Sequence, residues 1–143
     1  MNLKILLTKD GKTIFELPLT PTLWSCKKLK KELQELDFEY FLKLFHALSN
    51  IYRLKMMMKF FEDYGLMLSF SDFMKEFNLN PKVVSENIKK LQECNLLEKS
   101  KDGKYKCSKI GEIEFLLISI ALNRILKFIY KNNLMRGEKF GFK

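Results

Sequence analysis

At 143 residues, with 47% hydrophobic and 30% charged residues, the chain is long enough to bury one sizeable core and too apolar to be disordered. Lys and Arg number 26 against 17 Asp and Glu, a formal net charge of +9 and a pI near 9.4, which fits a polyanionic partner although lysine-rich composition alone is common. The longest apolar run near the C-terminus, 115–122, falls far short of the roughly 20 residues a membrane span needs, and Glu114, Asn123, Arg124 and Lys127 would be costly in lipid, so no membrane is expected.

In chain order, NLKILLT (2–8) and KTIFELPL (12–19) are β-rich runs around Lys9-Asp10-Gly11, which predicts a β-hairpin. The opening residues carry neither a secretory signal nor a lipidation motif, so a cytoplasmic location is expected. Pro18 and Pro21 punctuate a linker, and 22–48 is helical in period with a break or recapping at Asp37. Leu29, Leu33, Leu36, Tyr40, Leu44 and Leu48 fall close to one face, beside Phe41 and Phe45, forming either core or a subunit contact. Ser49-Asn50 restarts a helix through Phe61, Tyr64-Gly65 ends it, and Ser69 caps the next.

From Ser69 to Ser108 the pattern is two helices joined by a tight turn and followed by a lysine-studded hairpin. Asn80-Pro81 is a strong helix start, because Asn accepts from an orphan N–H and Pro at the first helical position has none to leave unpaired. Val84, Ile88 and Leu91 then share a face that packs on Phe70, Phe73, Met74 and Phe77, leaving Lys82, Ser85, Glu86, Lys89 and Lys90 on the other. Cys94-Asn95 closes this helix, Asn tolerating the left-handed conformation that helix ends often require. Leu96-Leu97 opens a strand, and Asp102-Gly103 is a two-residue hairpin turn signal flanked by Lys99, Lys101, Lys104 and Lys106.

This is the grammar of a winged helix-turn-helix, and it points to double-stranded DNA. The expected fold class is mainly α (α+β). The helix 81–94 sums to only +1, whereas 98–109 carries five lysines against Glu98 and Asp102, a sum of +3. The wing 97–108 is therefore expected to supply more phosphate attraction than the recognition helix. In the major groove, Lys82, Ser85, Glu86, Asn87 and Lys89 would offer polar groups, with Asn87 a bidentate partner for adenine; Lys89, Lys90, Lys99, Lys101, Lys104 and Lys106 would mainly hold phosphates. The clusters Lys27-Lys28 with Lys30-Lys31, and the tail from Lys131, read by default as a solvated helix face and a frayed terminus.

Residues 109–130 read as one long helix with apolar residues beyond a single stripe. Pairing with the same helix of a second copy explains the excess, through Ile113, Leu117, Ile120, Ala121, Ile125 and Phe128. The chain thus divides into an N-terminal hairpin extension (1–21), a helical body with the winged helix-turn-helix (22–108), a C-terminal dimerisation helix (109–131) and a basic tail (132–143).

The runs FHALSNIYRLKMMMKFF (45–61) and LLEKSKDGKYKCSKIGE (96–112), flanking the helix pair, resemble the ArsR-type winged-helix regulators. The matching positions are Ala47-Leu48-Ser49, Arg53, Ser85, Lys89, Lys90, Leu91, Leu96, Leu97, Gly103, Tyr105, Ser108 and Gly111; Asn95 replaces the family's usual Gly, and Glu86 stands where His or Arg is frequent. The resemblance implies a dimer built from terminal helices and a DNA-binding transcriptional regulator. It also suggests metal sensing, yet the family's Cys-rich motif would fall at 69–72, which has no Cys, and the C-terminal helix lacks His.

Neither metal nor cofactor is expected from the residues themselves. Cys26, Cys94 and Cys107 are scattered without C-x-C or C-x-x-C spacing, and His46 stands alone in an aromatic-rich helix. No nucleophile elbow, phosphate loop or H-E-x-x-H is present, so no enzyme is expected, and Glu112 and Glu114 point to different faces as helix N-terminal carboxylates. Two alternatives remain open. One is a winged-helix protein-interaction module without specific DNA binding, to which Glu86 and Glu93 would contribute. The other is a thiol-responsive regulator switched at Cys94 or Cys107.

Overall fold

The structure, a computed structural model, describes residues 2–132; the basic tail expected beyond Asn132 lies outside them. The chain separates into two compact units with the boundary between Asp37 and Phe38, not after residue 21.

In the first unit, β1 (Lys4–Lys9) and β2 (Lys12–Pro18) pair antiparallel around Asp10-Gly11. Both turn residues have positive φ, 51° and 78°, the conformation a two-residue hairpin requires and that Asp-Gly supplies at low cost. Leu7 faces Phe15 and Thr8 faces Thr13, so Ile14 is the extra residue of a bulge. A short 3-10 turn (Pro21–Leu23) leads to α1 (Cys26–Gln34), capped by the Ser25 hydroxyl. The Trp24 indole donates to the Pro18 carbonyl at 2.9 Å, folding the linker onto its own strand. Helix α1 stops before Asp37 and belongs with the hairpin. None of the described residues of this unit is buried, and Leu33 and Leu36, expected on the continuous apolar face, are exposed.

The second unit begins with α2 (Phe38–Leu48) and α3 (Ile51–Glu62), joined at Ser49-Asn50, where the Asn50 carboxamide accepts from the Tyr52 and Arg53 N–H groups. Next come α4 (Phe70–Phe77) and α5 (Pro81–Glu93). Ser69 and Asp72 form a reciprocal capping box on α4, and Asn78 ends that helix at φ 51°. Asn80 caps α5 as expected, accepting from the Val83 N–H at 2.9 Å.

The core lies among these helices. Met56, Met57 and Phe60 of α3, Phe73 of α4 and Val84, Ile88 and Leu91 of α5 are buried together with Leu96 and Leu97. The Phe73 ring sits between those of Phe60, Phe77 and Tyr105, with centroids 6.1, 6.0 and 5.8 Å away, so α4 is anchored to both α3 and the wing.

The wing is β3 (Leu97–Lys99) and β4 (Tyr105–Cys107), with Leu68 adding a third strand position by exchanging both backbone hydrogen bonds with Tyr105. This arrangement, the helices α2 to α5 with a helix-turn-helix in α4 and α5 followed by a β-wing, is the winged-helix α+β fold. The hairpin loop differs from the expected two-residue turn. Ser100 pairs with Lys104 and accepts from the Gly103 N–H, leaving Lys101, Asp102 and Gly103 as a three-residue loop that ends in a left-handed glycine at φ 83°. The Asp102 carboxylate accepts from the Ser100 hydroxyl and the Lys104 N–H, which holds its pKa below the ordinary range.

The C-terminal helix is not uniform. An α-helix, α6 (Lys109–Leu116), passes through a π-helical turn (Leu117–Ala121) into α7 (Leu122–Lys131). The Ser119 hydroxyl donates to the Phe115 carbonyl within this turn. The wider turn shifts the phase of α7, which is one reason the apolar residues exceed a single α-helical stripe. No helix among the described residues is long and apolar enough to cross a membrane.

Candidate nucleic-acid interface

Helix α5 is held by its inner face. Asn80 and Pro81 start it, Val84, Ile88 and Leu91 bury it, and Asn95 turns the chain at φ 57° so that Leu96 enters the core. Lys82, Ser85, Glu86 and Lys89 are left exposed on its outer face. Lys90 is half-buried at the edge, its Nζ 3.3 Å from the Nε2 of exposed His46 at the end of α2.

Asn87 belongs elsewhere. It is only 5% exposed, and its Oδ1 accepts from the Arg53 Nη1 at 2.9 Å, so it is a buried structural partner and cannot serve as the adenine reader. The spacing of Val84, Asn87, Ile88 and Leu91 already puts Asn87 on the buried face, a helical signal outweighed by its side-chain chemistry. Arg53, itself buried, also donates to the carbonyls of Ala47 and, at 3.0 Å, His46 at the C-terminal end of α2, the second of which also accepts from Ser49. One guanidinium thereby ties α2, α3 and α5 together. Burial pulls its pKa down from the ordinary arginine value.

The four wing lysines divide into two kinds. Glu98 and Lys106 are direct cross-strand partners with an ion pair of 3.4 Å, and the Lys99 ammonium lies 5.6 Å from the centroid of the Tyr105 ring, so both have protein neighbours. Lys101 and Lys104, in and beside the loop, are exposed and form no ion pair among the described residues. The wing is therefore most open to an external anion at its tip.

The base of the wing is fastened to α6 by a close approach. The Ser108 hydroxyl caps α6 by accepting from the Gly111 N–H at 2.8 Å and donates to the Asn95 carbonyl. Gly111 is buried against Leu96, where a Cβ would stand 2.4 Å from the carbonyl oxygen. Beyond this point Ile113, Leu117, Ile120 and Phe128 are 53–68% exposed, whereas Ala121 and Ile125 are half-buried. Phe38, Phe41, Leu42 and Phe45 of α2 are also exposed, and Tyr40 of the same helix donates to the Glu114 carboxylate and contacts the Cys94 carbonyl at 3.2 Å.

Cys94 is buried, with its pKa raised by that burial; Cys107 is pushed up to about 12 by burial, Glu112 and Glu98. Among the described residues no group of three or more His, Cys, Asp or Glu is arranged to hold a metal ion.

No family model matches the sequence, and no curated protein matches it. Among solved structures, the chain is similar to the Mycobacterium tuberculosis transcriptional regulator MosR, with 10% identity, a TM-score of 0.45, and 80% of this chain and 83% of that one covered. It is also similar to the YusO protein from Bacillus subtilis, with 16% identity, a TM-score of 0.42, and 79% and 92% covered. Both likenesses are too distant to carry function, and nothing in them singles out the ArsR type. The interface stands on the geometry of this chain alone.

Proposed function

We propose that the chain is a sequence-specific, DNA-binding transcriptional regulator that acts as a homodimer in the cytoplasm. The observation that carries this reading is the exposed Lys101 and Lys104 at the wing tip, which form no ion pair among the described residues although Asp72 and Asp102 lie within the field of Lys104, on the same winged unit as a core-anchored helix whose outer face is polar and exposed. Lys82, Ser85, Glu86 and Lys89 enter the major groove; Lys90 and the wing lysines Lys99, Lys101, Lys104 and Lys106 attract phosphate, with the tip pair dominant. Glu86 selects for a cytosine amino group at its contact or repels phosphate there.

The exposed apolar residues of α6, the π turn and α7 form the dimer contact, together with the outer face of α2, since exposed apolar patches of this kind mark interaction surfaces. A two-fold dimer presents two recognition helices to successive half-sites. The thiol-switch alternative is disfavoured by the raised pKa of both Cys94 and Cys107.

Binding of the full chain to genomic fragments at several salt concentrations tests the reading. Specific complexes should weaken steeply with salt, and Lys101→Glu with Lys104→Glu, which removes four wing contacts from the dimer, should reduce affinity and flatten the log–log salt slope by about 4. Unchanged binding in the double variant would refute the wing assignment. A dimer that binds no fragment would instead identify an interaction module.

A further inference from the structure

A cleft of about 370 Å³ opens between the end of α3, the base of the wing and the first turn of α6, away from the outer face of α5. Its volume is within the range of small-molecule sites. Phe61 provides an aromatic floor, pinned by stacking on Phe115 with ring centroids 4.9 Å apart, and Phe60, only 4% exposed, belongs to the core behind it. Tyr64 stands at the margin, 87% exposed, a large ring without packing of its own. Beside it, Gly65 turns the chain at φ 84°, and a Cβ there would meet nothing within 4 Å, so the approach stays open.

The charged groups around this floor balance. Lys106 is paired with Glu98, and Lys109 is accompanied by Glu112 in the first turn of α6. Two positive and two negative groups leave no net field to reward an ionic ligand, while the apolar floor penalises one for lost hydration. Cys107 adds a thiol that stays protonated at neutral pH and lines the wall as a soft apolar group.

We propose that this cleft binds a small, flat, uncharged aromatic molecule. It stacks on Phe61 beside the Tyr64 ring and meets the polar rim with one or two hydrogen-bonding substituents. The site is independent of the DNA-binding reading, and its test contains no DNA.

The probe is 2-naphthol, neutral at pH 7, added to the full chain labelled with ¹³C-methyl methionine. Met67 lines the cleft, and Met58, 48% exposed and outside its lining, reports non-specific adsorption. The Met67 methyl should shift saturably while Met58 stays nearly fixed. Tyr64→Ala, a change at an exposed position, should weaken binding by about fivefold, the worth of one aromatic contact. The carboxylate and methylamine analogues, 2-naphthoate and 2-naphthylmethylamine, should bind about tenfold more weakly. Equal shifts at Met58 and Met67, or no saturable shift at Met67, would overturn the site; tighter binding of either charged analogue would overturn the ligand class.

Discussion

Arg53 Nη1 donates to Asn87 Oδ1 across 2.9 Å in the core, joining the first turn of α3 to the middle of the recognition helix. Among the described residues the guanidinium has three hydrogen-bond acceptors, two backbone carbonyls and one side-chain amide, and none of them is a carboxylate.

Asn87→Ala should therefore act on stability. Removing one acceptor from a buried cation is expected to cost about 1.5–3 kcal/mol in urea unfolding. Asn87→Asp should retain more stability than Asn87→Ala because it supplies a charged acceptor. If instead Asn87→Ala left stability unchanged and altered only operator preference, the residue would be a base reader after all.

Gly111 is required by space. Gly111→Ala would push a methyl into the Leu96 carbonyl, part of the backbone and unable to rotate away, so a loss of about 1–3 kcal/mol is expected in thermal or urea unfolding. The wing base and α6 should loosen together, visible as faster amide exchange at Leu96 and Ser108, whose backbones are hydrogen-bonded to each other.

Asn95 is required by conformation. At φ 57°, Asn95→Ala should cost about 1–2 kcal/mol, while Asn95→Gly should cost less, since it keeps the left-handed backbone and loses only the side-chain hydrogen bond to Tyr40. Equal effects of the two substitutions would show that the Asn side chain matters more than the left-handed backbone.

Alkaline stability should depend on Tyr40. Burial and the Glu114 carboxylate raise its pKa to about 12 from 10.0, favouring the neutral phenol in the folded chain. A raised folded-state pKa contributes stability that is fully present below pH 10 and is lost as pH climbs towards 12. Tyr40→Phe should flatten the stability profile in that window and remove a phenol titrating near pH 12 from the ultraviolet absorbance. Cys107 acts with the same sign from pH 9 upward, so Cys107→Ala is the companion control.

Ile113→Glu with Leu117→Lys changes two residues exposed within one protomer, at 68% and 63%. Sedimentation should show a dimer dissociation constant raised by about 30-fold or more, with little effect on the folding of the protomer. A wild-type chain that stays monomeric at micromolar concentration would remove the dimer from the proposal.

The turns and helix boundaries are readable in the sequence because their causes lie within a few residues. Asp10-Gly11, the Asn80-Pro81 start and the Asn95 turn each depend on a side chain or φ preference acting on the nearest backbone. The core face of α5 was equally readable from Val84, Ile88 and Leu91. These local signals, in that order, were enough for the winged-helix architecture.

Tertiary structure decided what depends on distant partners. Asn87 is polar and sits on a helix otherwise suited to reading DNA, and only Arg53, 34 positions earlier, shows why it is buried. Glu98 and Tyr105 separate Lys106 and Lys99 from the tip lysines, a distinction that a charge count cannot contain. The loop registers one residue longer than Asp102-Gly103 suggested because Ser100 pairs with Lys104 across it. Composition and periodicity determine which face a residue occupies; whether its polar group remains available there depends on which neighbours the fold brings within hydrogen-bonding reach.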